Sequence, residues 1–438
     1  MNKATSQASS ESTGRVASEA AGAAEGAAAS AAANCATSAL HGLRVVELAA
    51  IGPVPLAGML LADQGADVWR VDRLSASGLG LGLLPQYDVH ARSRRSLMLD
   101  LKAPAGRDTL LRLLDTADVL LEGFRPGVLE GLGLGPDLLL ERCPRLVIGR
   151  MTGYGQHGPL ARAAGHDLNY IALTGVLAAN GAASAPPVPP LNLVGDYGGG
   201  ALFLAFGVMA ALHERQRSGR GQVVDAAMVD GVAAMAGLFQ GLRAAGDWQL
   251  ARGSNLLDGG APFYATYEAA DGRCIALGAL EPKFFANFAR LAGLDERFVR
   301  GQHDRALWPA MRQAIADIVQ TRTRDDWCAL LGDGGDAGDA GTQADDNGGA
   351  KPVANDDTCV TPVLDFDEAP QHPHALARGA YTLMDGVHQP AAAPRLGRSP
   401  PMPPRPAPQP GAHTTELLQE AGLSAFEIEQ LFQHGVVR

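Results

Sequence analysis

From Gly42 the chain alternates between short runs of branched apolar residues and longer stretches whose apolar positions recur at helical spacing. Leu43-Arg44-Val45-Val46-Glu47-Leu48 reads as a strand, and Gly52-Pro53-Val54-Pro55 turns into a helical pattern over Leu56–Asp63 that Gly65 closes. Ala66–Val71 is the next strand. Strand, helix and strand within about thirty residues make a βαβ unit and favour a parallel sheet. The alternation continues with a helix over Ala105–Leu114, a strand over Asp118–Glu122, a turn at Gly123–Gly127 and a strand over Leu146–Met151. Ligands of open α/β sheets lie outside the carboxyl ends of the strands. That rule puts Arg73, after the Val68–Val71 run, and Arg125, after Glu122, on the ligand edge.

Further on, Ala201–Leu212 is an apolar helical run that ends before Ser218-Gly219-Arg220-Gly221. It is about half the roughly 20 residues of a membrane span, so a buried helix is expected and no span. A helix reaching about Ala245 leads away from this first region. A second region, 265–376, holds a strand at Cys274–Gly278 and amphipathic helices around 284–292 and 305–319. The Pro-rich stretch 389–410 reads as a linker, and Thr414–Val437 carries the last helices. Residues 1–38 are Ala, Ser, Gly and Glu with almost no bulky side chain, a composition that cannot offset ordering entropy and predicts a disordered tail. Residues 332–357, rich in Gly, Asp, Ala and Asn without periodicity, read as a solvated insertion. Their acids could supply oxygens to calcium, but no EF-hand spacing is present.

With 46% apolar and 19% charged residues the 438-residue chain can bury a sizeable core. A formal charge of −11 argues against non-specific nucleic-acid binding, which needs a positive field. Five cysteines without a CxxC spacing suit reduced thiols better than a disulfide frame or a zinc site, and no metal site is expected. The N-terminal alanines are interrupted by Glu11, Glu19 and Glu25, so neither a secretory nor a mitochondrial signal is legible, and a cytoplasmic location is the expectation. No GxGxxG follows the first strand, so a dinucleotide site of the usual kind is not indicated.

The candidate chemistry lies between Gly165 and Gly200. Gly165-His166-Asp167-Leu168-Asn169-Tyr170 opens this stretch, a small-residue and proline loop fills 178–190, and Leu191-Asn192-Leu193-Val194-Gly195-Asp196-Tyr197-Gly198-Gly199-Gly200 closes it. An imidazole and an acid, each beside backbone that a ligand can approach closely, are the material for moving a proton across a substrate. Read alone, Asp196 serves equally well as a capping acid before the glycines.

Those two blocks, Asn255-Leu256-Leu257-Asp258-Gly259-Gly260-Ala261-Pro262-Phe263-Tyr264 and Leu280-Glu281-Pro282 occur in one order. Together they resemble the α-methylacyl-CoA racemase branch of the family III CoA-transferase superfamily, over roughly residues 40 to 435. The resemblance implies an α/β fold: a Rossmann-like large domain with a parallel sheet plus a smaller α+β domain, in an interlocked homodimer. It implies a large CoA-binding domain over 39–226 and 393–438, linkers at 227–264 and 377–392, and a small domain over 265–376. It implies that an acyl-CoA thioester is the substrate and that no separate cofactor is needed.

The implied reaction is inversion at the carbon α to the thioester carbonyl, with His166 on one face, Asp196 on the other, and an enolate between. Glu281 would orient the imidazole, from the same chain or from the second subunit; its bland alternative is a solvated acid before a helix that starts with Pro282. The amide of Asp167 would receive the enolate oxygen, with the Asp167 side chain either supporting the catalytic groups from behind or capping the helix. CoA would be held by Arg73, by Leu99, Asp100, Leu101 and Lys102, by Gly123, Phe124 and Arg125, and by Gly165, Asp167, Leu168, Asn169 and Tyr170. Arg92, Arg94 and Arg95 form a further basic cluster on the expected 3′-phosphate side, and Gly131 stands where some relatives carry an arginine. The alternative within the same fold is a CoA-transferase in which Asp196 is a nucleophile.

Overall fold

The computed structural model describes residues 38–75, 78, 80–331, 343–344, 350–351 and 357–438. The expected tail up to residue 37 and most of the expected 332–357 insertion lie outside the described residues. Ser38, grouped with that tail by composition, is buried, and its hydroxyl donates to the Pro400 carbonyl at 2.9 Å.

Six strands form one parallel sheet: β1 (Arg44–Leu48), β2 (Asp67–Asp72), β3 (Arg95–Met98), β4 (Val119–Glu122), β5 (Val147–Thr152) and β6 (Val223–Ala227), in the order β3-β2-β1-β4-β5-β6. Both faces are covered, which is why the strands read as nearly continuous apolar runs. On one face Val46, Trp69, Val71, Leu120 and Ile148 meet Leu110, Leu113 and the C-terminal Leu417, Leu418 and Ile428. On the other Val45, Val68, Val119, Leu121 and Val147 meet Val54, Ala57, Leu204 and Val208. The Pro-rich return stretch is pinned to this unit, with Met402 N donating to Asp63 O at 2.8 Å and Arg405 N to Ser93 Oγ at 3.0 Å.

A separate core of Phe263, Ile275, Phe285, Phe288, Trp308, Met311 and Trp327 gathers the middle of the chain. It is built on β7 (Tyr264–Glu268), β8 (Cys274–Gly278) and a third antiparallel strand, Val360–Pro362, with helices Pro282–Ala292 and Trp308–Val319 packed on them. The architecture is therefore the α/β sheet plus a smaller α+β unit that the sequence led us to expect.

Two elements differ from expectation. The Gly-rich block is helical: a π-helix over Leu193–Leu202 runs straight into an α-helix over Phe203–Ser218. The continuous helix has 26 residues, and an 18-residue stretch of it has a mean hydropathy of 1.4, long and apolar enough by those measures to cross a membrane, which corrects the half-length reading. Its glycines hide the helical signal because they serve a close approach. A Cβ on Gly199 would lie 2.8 Å from Val232 N, and one on Gly231 would lie 2.0 Å from Gly199 O. Where one helix reaching about Ala245 was expected at the start of the 227–264 linker, there are two, Met228–Met235 and Gly237–Ala245, the first of which supplies Gly231 to that contact.

Charge is buried beside β1. Arg94 donates to Glu47 at 2.9 Å and Arg92 to Asp63 at 2.6 Å, with all four side chains essentially inaccessible. Burial raises the Glu47 carboxyl above the ordinary range, and the Arg94 charge opposes that rise. Removing one partner of such a pair leaves an uncompensated charge, at a cost of about 3–5 kcal/mol. Arg94→Met is expected to lower unfolding free energy by about that much in urea titrations, with Arg94→Met/Glu47→Gln recovering most of the loss.

Candidate active site

The strand order reverses between β1 and β4, and open α/β sheets bind ligands outside the carboxyl ends at such a switch point. Gly52, in the connection after β1, has φ +71°, and a Cβ on it would lie 3.2 Å from Asp196 Oδ2. The first helical turns from Leu193 thus set the Asp196 carboxyl against bare backbone at the switch point. Asn192 Nδ2 donates to the same Oδ2 at 3.1 Å. Burial raises the Asp196 carboxyl above its ordinary value; the Asn192 hydrogen bond opposes this, the Asp167 charge adds to it, and His166 opposes it.

His166 stands at the start of the helix Asp167–Leu173 with its side chain exposed. Its backbone N–H donates to Asn169 Oδ1 at 3.0 Å while the Asn169 N–H donates to its carbonyl at 2.8 Å, so the helix start is closed from both ends. Next to it Asp167 is buried, and its Oδ1 accepts from Gly195 N at 2.6 Å and Asp196 N at 2.7 Å. Residues 28 and 29 positions apart are thereby held together. Tyr170 lies beneath this loop. Its ring fills the space that side chains on Gly153 and Gly165 would need, its hydroxyl donates to the Gly165 carbonyl, and burial pushes the phenol up to about 12. Tyr154 meets that ring edge-on at 5.0 Å.

The profile of CoA-transferase family III matches residues 40–414. The chain belongs to this family. It is 44% identical over 401 residues to the mouse (Mus musculus) protein named alpha-methylacyl-CoA racemase, covering 91% of this chain and 97% of that one. The human (Homo sapiens) protein of the same name is 42% identical, with 90% and 96% covered. A solved CAIB/BAIF family protein from Brucella suis superposes with a TM-score of 0.70 at 24% identity, covering 88% of this chain and 100% of that one, and so shares the fold.

The family's expected CoA residues fall into two groups. Arg73, Lys102 and Arg125 are exposed cations following β2, β3 and β4. Phe124 is fixed in its turn by its N–H donating to Glu122 Oε2 at 2.6 Å, and Glu122 is held in turn by Arg150 at 2.7 Å. Gly123 is packed closely, since a Cβ there would meet Val54 and Ala50. Leu99 buries its side chain and bridges to Val437, Asp100 receives the Lys102 N–H at 2.9 Å, and Leu101 packs against the core, so only Lys102 of this segment extends a cation. Leu168 and Asn169 are exposed beside His166.

The basic cluster at 92–95 does not face a phosphate. Arg92 and Arg94 are consumed by Asp63 and Glu47, and Arg95 donates to Asp67, Glu416 and Glu420. Their acids come from β1, β2 and the flanking helices. Glu281 lies at the N-terminus of Pro282–Ala292 in the smaller unit, exposed, and its charge is felt by the Cys359 thiol, which burial pushes up first. Among the described residues no hydrogen bond or ion pair joins it to His166.

Sequence reasoning missed Gly52, the Asn192 hydrogen bond and the Asp167 clamp. Asn192 and Asp196 are four apart, a spacing that places them on one helical face, but the helix was read to begin only after Gly200, with Asp196 ahead of it. Asn192→Ala removes the hydrogen bond that favours ionised Asp196. Carbon-13 NMR of the labelled carboxyl is expected to show Asp196 titrating at higher pH in that variant than in the wild type.

Proposed function

We propose that this chain racemises 2-methylacyl-CoA thioesters by removing the α-proton on one face and returning a proton on the other. The carrying observation is the Asp196 carboxyl: half-buried against Gly52, raised above its ordinary range, and tied through Asp167 to the helix that begins at His166. A raised carboxyl suits a group that must both give and take a proton. The names of the mouse and human relatives support the same reaction.

In one direction neutral His166 accepts the α-proton and protonated Asp196 donates; in the other the roles exchange. The enolate oxygen would be met by the first-turn amide at Asp167. Arg73, Lys102 and Arg125 would meet the CoA phosphates along the carboxyl edge. The acyl chain would lie on the apolar rim of Ile51, Leu81, Leu83 and Leu84, all exposed, with Leu81 at 89%; Gly80 rests against Ile51, the neighbour of Gly52. The transferase reading needs Asp196 ionised as a nucleophile, and burial works against that form.

The assembly would be a homodimer. Leu202, Phe206 and Met209 form an exposed apolar stripe along the 26-residue helix, with Phe206 at 73%. A second copy could cover this stripe and supply Glu281 to orient His166. Phe206→Glu is expected to shift the protein from dimer to monomer in light scattering, and an unchanged mass would remove the stripe from the interface.

The test of the reaction is one enantiomer of 2-methylhexanoyl-CoA in heavy water, followed by NMR and chiral analysis. Deuterium should enter with inversion and without any acceptor acid. His166→Ala and Asp196→Ala should each lower racemisation by about 10²–10⁴-fold. Both active protonation states carry one proton shared by the pair, so activity falls when a second proton binds. The acid limb of kcat/KM is therefore expected above the ordinary aspartate range near 3.8. CoA transfer to an added acid without α-exchange would replace this reading with the transferase.

A further inference from the structure

We infer that Asp167 is the positioning residue of the acid–base pair, fixing the Asp196 turn and keeping a negative charge beside the Asp196 carboxyl. The inference rests on the racemase reading and deepens it. Asp167 is 5% exposed. Its Oδ1 takes both the Gly195 and Asp196 amides, while its Oδ2 is buried and has no hydrogen-bond partner. The approach is permitted by glycine: a Cβ on residue 195 would lie 2.5 Å from Oδ1.

Geometry alone does not require an acid here. The carbonyl oxygen of an asparagine would accept the same two amides without placing a charge out of water. A buried carboxylate with one bare oxygen carries a desolvation cost, and the site makes use of the charge at Asp196. The groups around that carboxyl are few. His166 and Asp167 approach from the start of the Asp167–Leu173 helix, Asn192 from its own helix, and Tyr170 from below. Gly52 brings backbone, the Met228–Met235 helix presents Met228, Val232 and Met235 to the neighbouring glycines, and His90 stacks edge-on against Tyr197 at 5.2 Å. Asp167 supplies the negative charge in this group, and a negative neighbour favours the protonated acid that the return of a proton to the substrate requires.

Three variants separate charge from position. Asp167→Asn keeps an oxygen for the two amides and removes the charge. Its melting temperature should stay at the wild-type value while the acid limb of kcat/KM moves to lower pH. Asp167→Glu keeps the charge but shifts the oxygens by about a bond length, so the limb should stay and kcat should fall by up to 10²-fold. Asp167→Ala should lose both. An unmoved acid limb in the Asn variant, or wild-type kcat in the Glu variant, overturns the inference. If the wild type itself exchanges no α-proton from 2-methylhexanoyl-CoA, the racemase reading fails instead. Carbon-13 titration of Asp196 then still decides: a lower titration in Asp167→Asn supports the charge effect, and an identical one overturns it.

Discussion

Asp196 is seated by a close approach of two helix backbones, with the Val232 side chain packed into it. Gly199 of its helix backs directly onto Gly231, backbone against backbone, and every other feature of the site follows from how closely the two helices lie. Because the helix comes this near, the Asp196 carboxyl reaches the bare backbone of Gly52 at the end of β1, and the Asp167 carboxylate reaches the two amides of the next turn. A helix needing an extra methyl at 199 or 231 would stand off, and the hydrogen bonds from Gly195 and Asp196 would lengthen past useful range. Backbone proximity here does the work that a salt bridge does elsewhere in the fold.

Elsewhere the fold does rely on salt bridges. The segment leading to β3 threads between the first helix and the C-terminal return, where two arginines in succession but one meet carboxylates from opposite sides. Buried ion pairs are weak sources of net stability but severe penalties when mispaired, so this arrangement fixes register: the chain can lie only where Arg92 finds Asp63 and Arg94 finds Glu47. The same arginines also hold the return stretch, with Arg92 donating to the Pro390 carbonyl at 2.6 Å. Cations clustered in sequence thus became struts, while the exposed cations at the strand ends, Arg73 and Arg125, sit singly along the sequence.

Much of the fold was legible because both-face burial writes itself into Val45–Leu48, Val68–Val71 and Val119–Leu121 as plain apolar runs, and short crossovers between them imply parallel pairing. The His166 and Asp196 blocks were legible from resemblance more than from spacing. What stayed hidden was whatever depends on glycine in a helix. Periodicity cannot register a side chain that is absent, so the helix was read to begin only after Gly200, at about half the length of a span, and the Asn192–Asp196 pair lost its shared face. Partner choice was hidden for a different reason: Arg94 looks like any surface arginine until Glu47, 47 residues earlier, is folded beneath it.

The apolar rim at Ile51 and Leu81–Leu84 stands in contrast to this crowded seat. Its side chains point into open surroundings, on a loop joined to the site through one neighbour, Gly52. The two regions therefore differ in how much change they absorb. Any carbon added at Gly195, Gly199 or Gly231 collides with backbone or carboxylate, whereas leucines on the rim can be exchanged for larger, smaller or more polar groups without moving a helix. A fold divided in this way leaves the exposed rim free to change in reach and shape while the packed seat of Asp196 stays fixed.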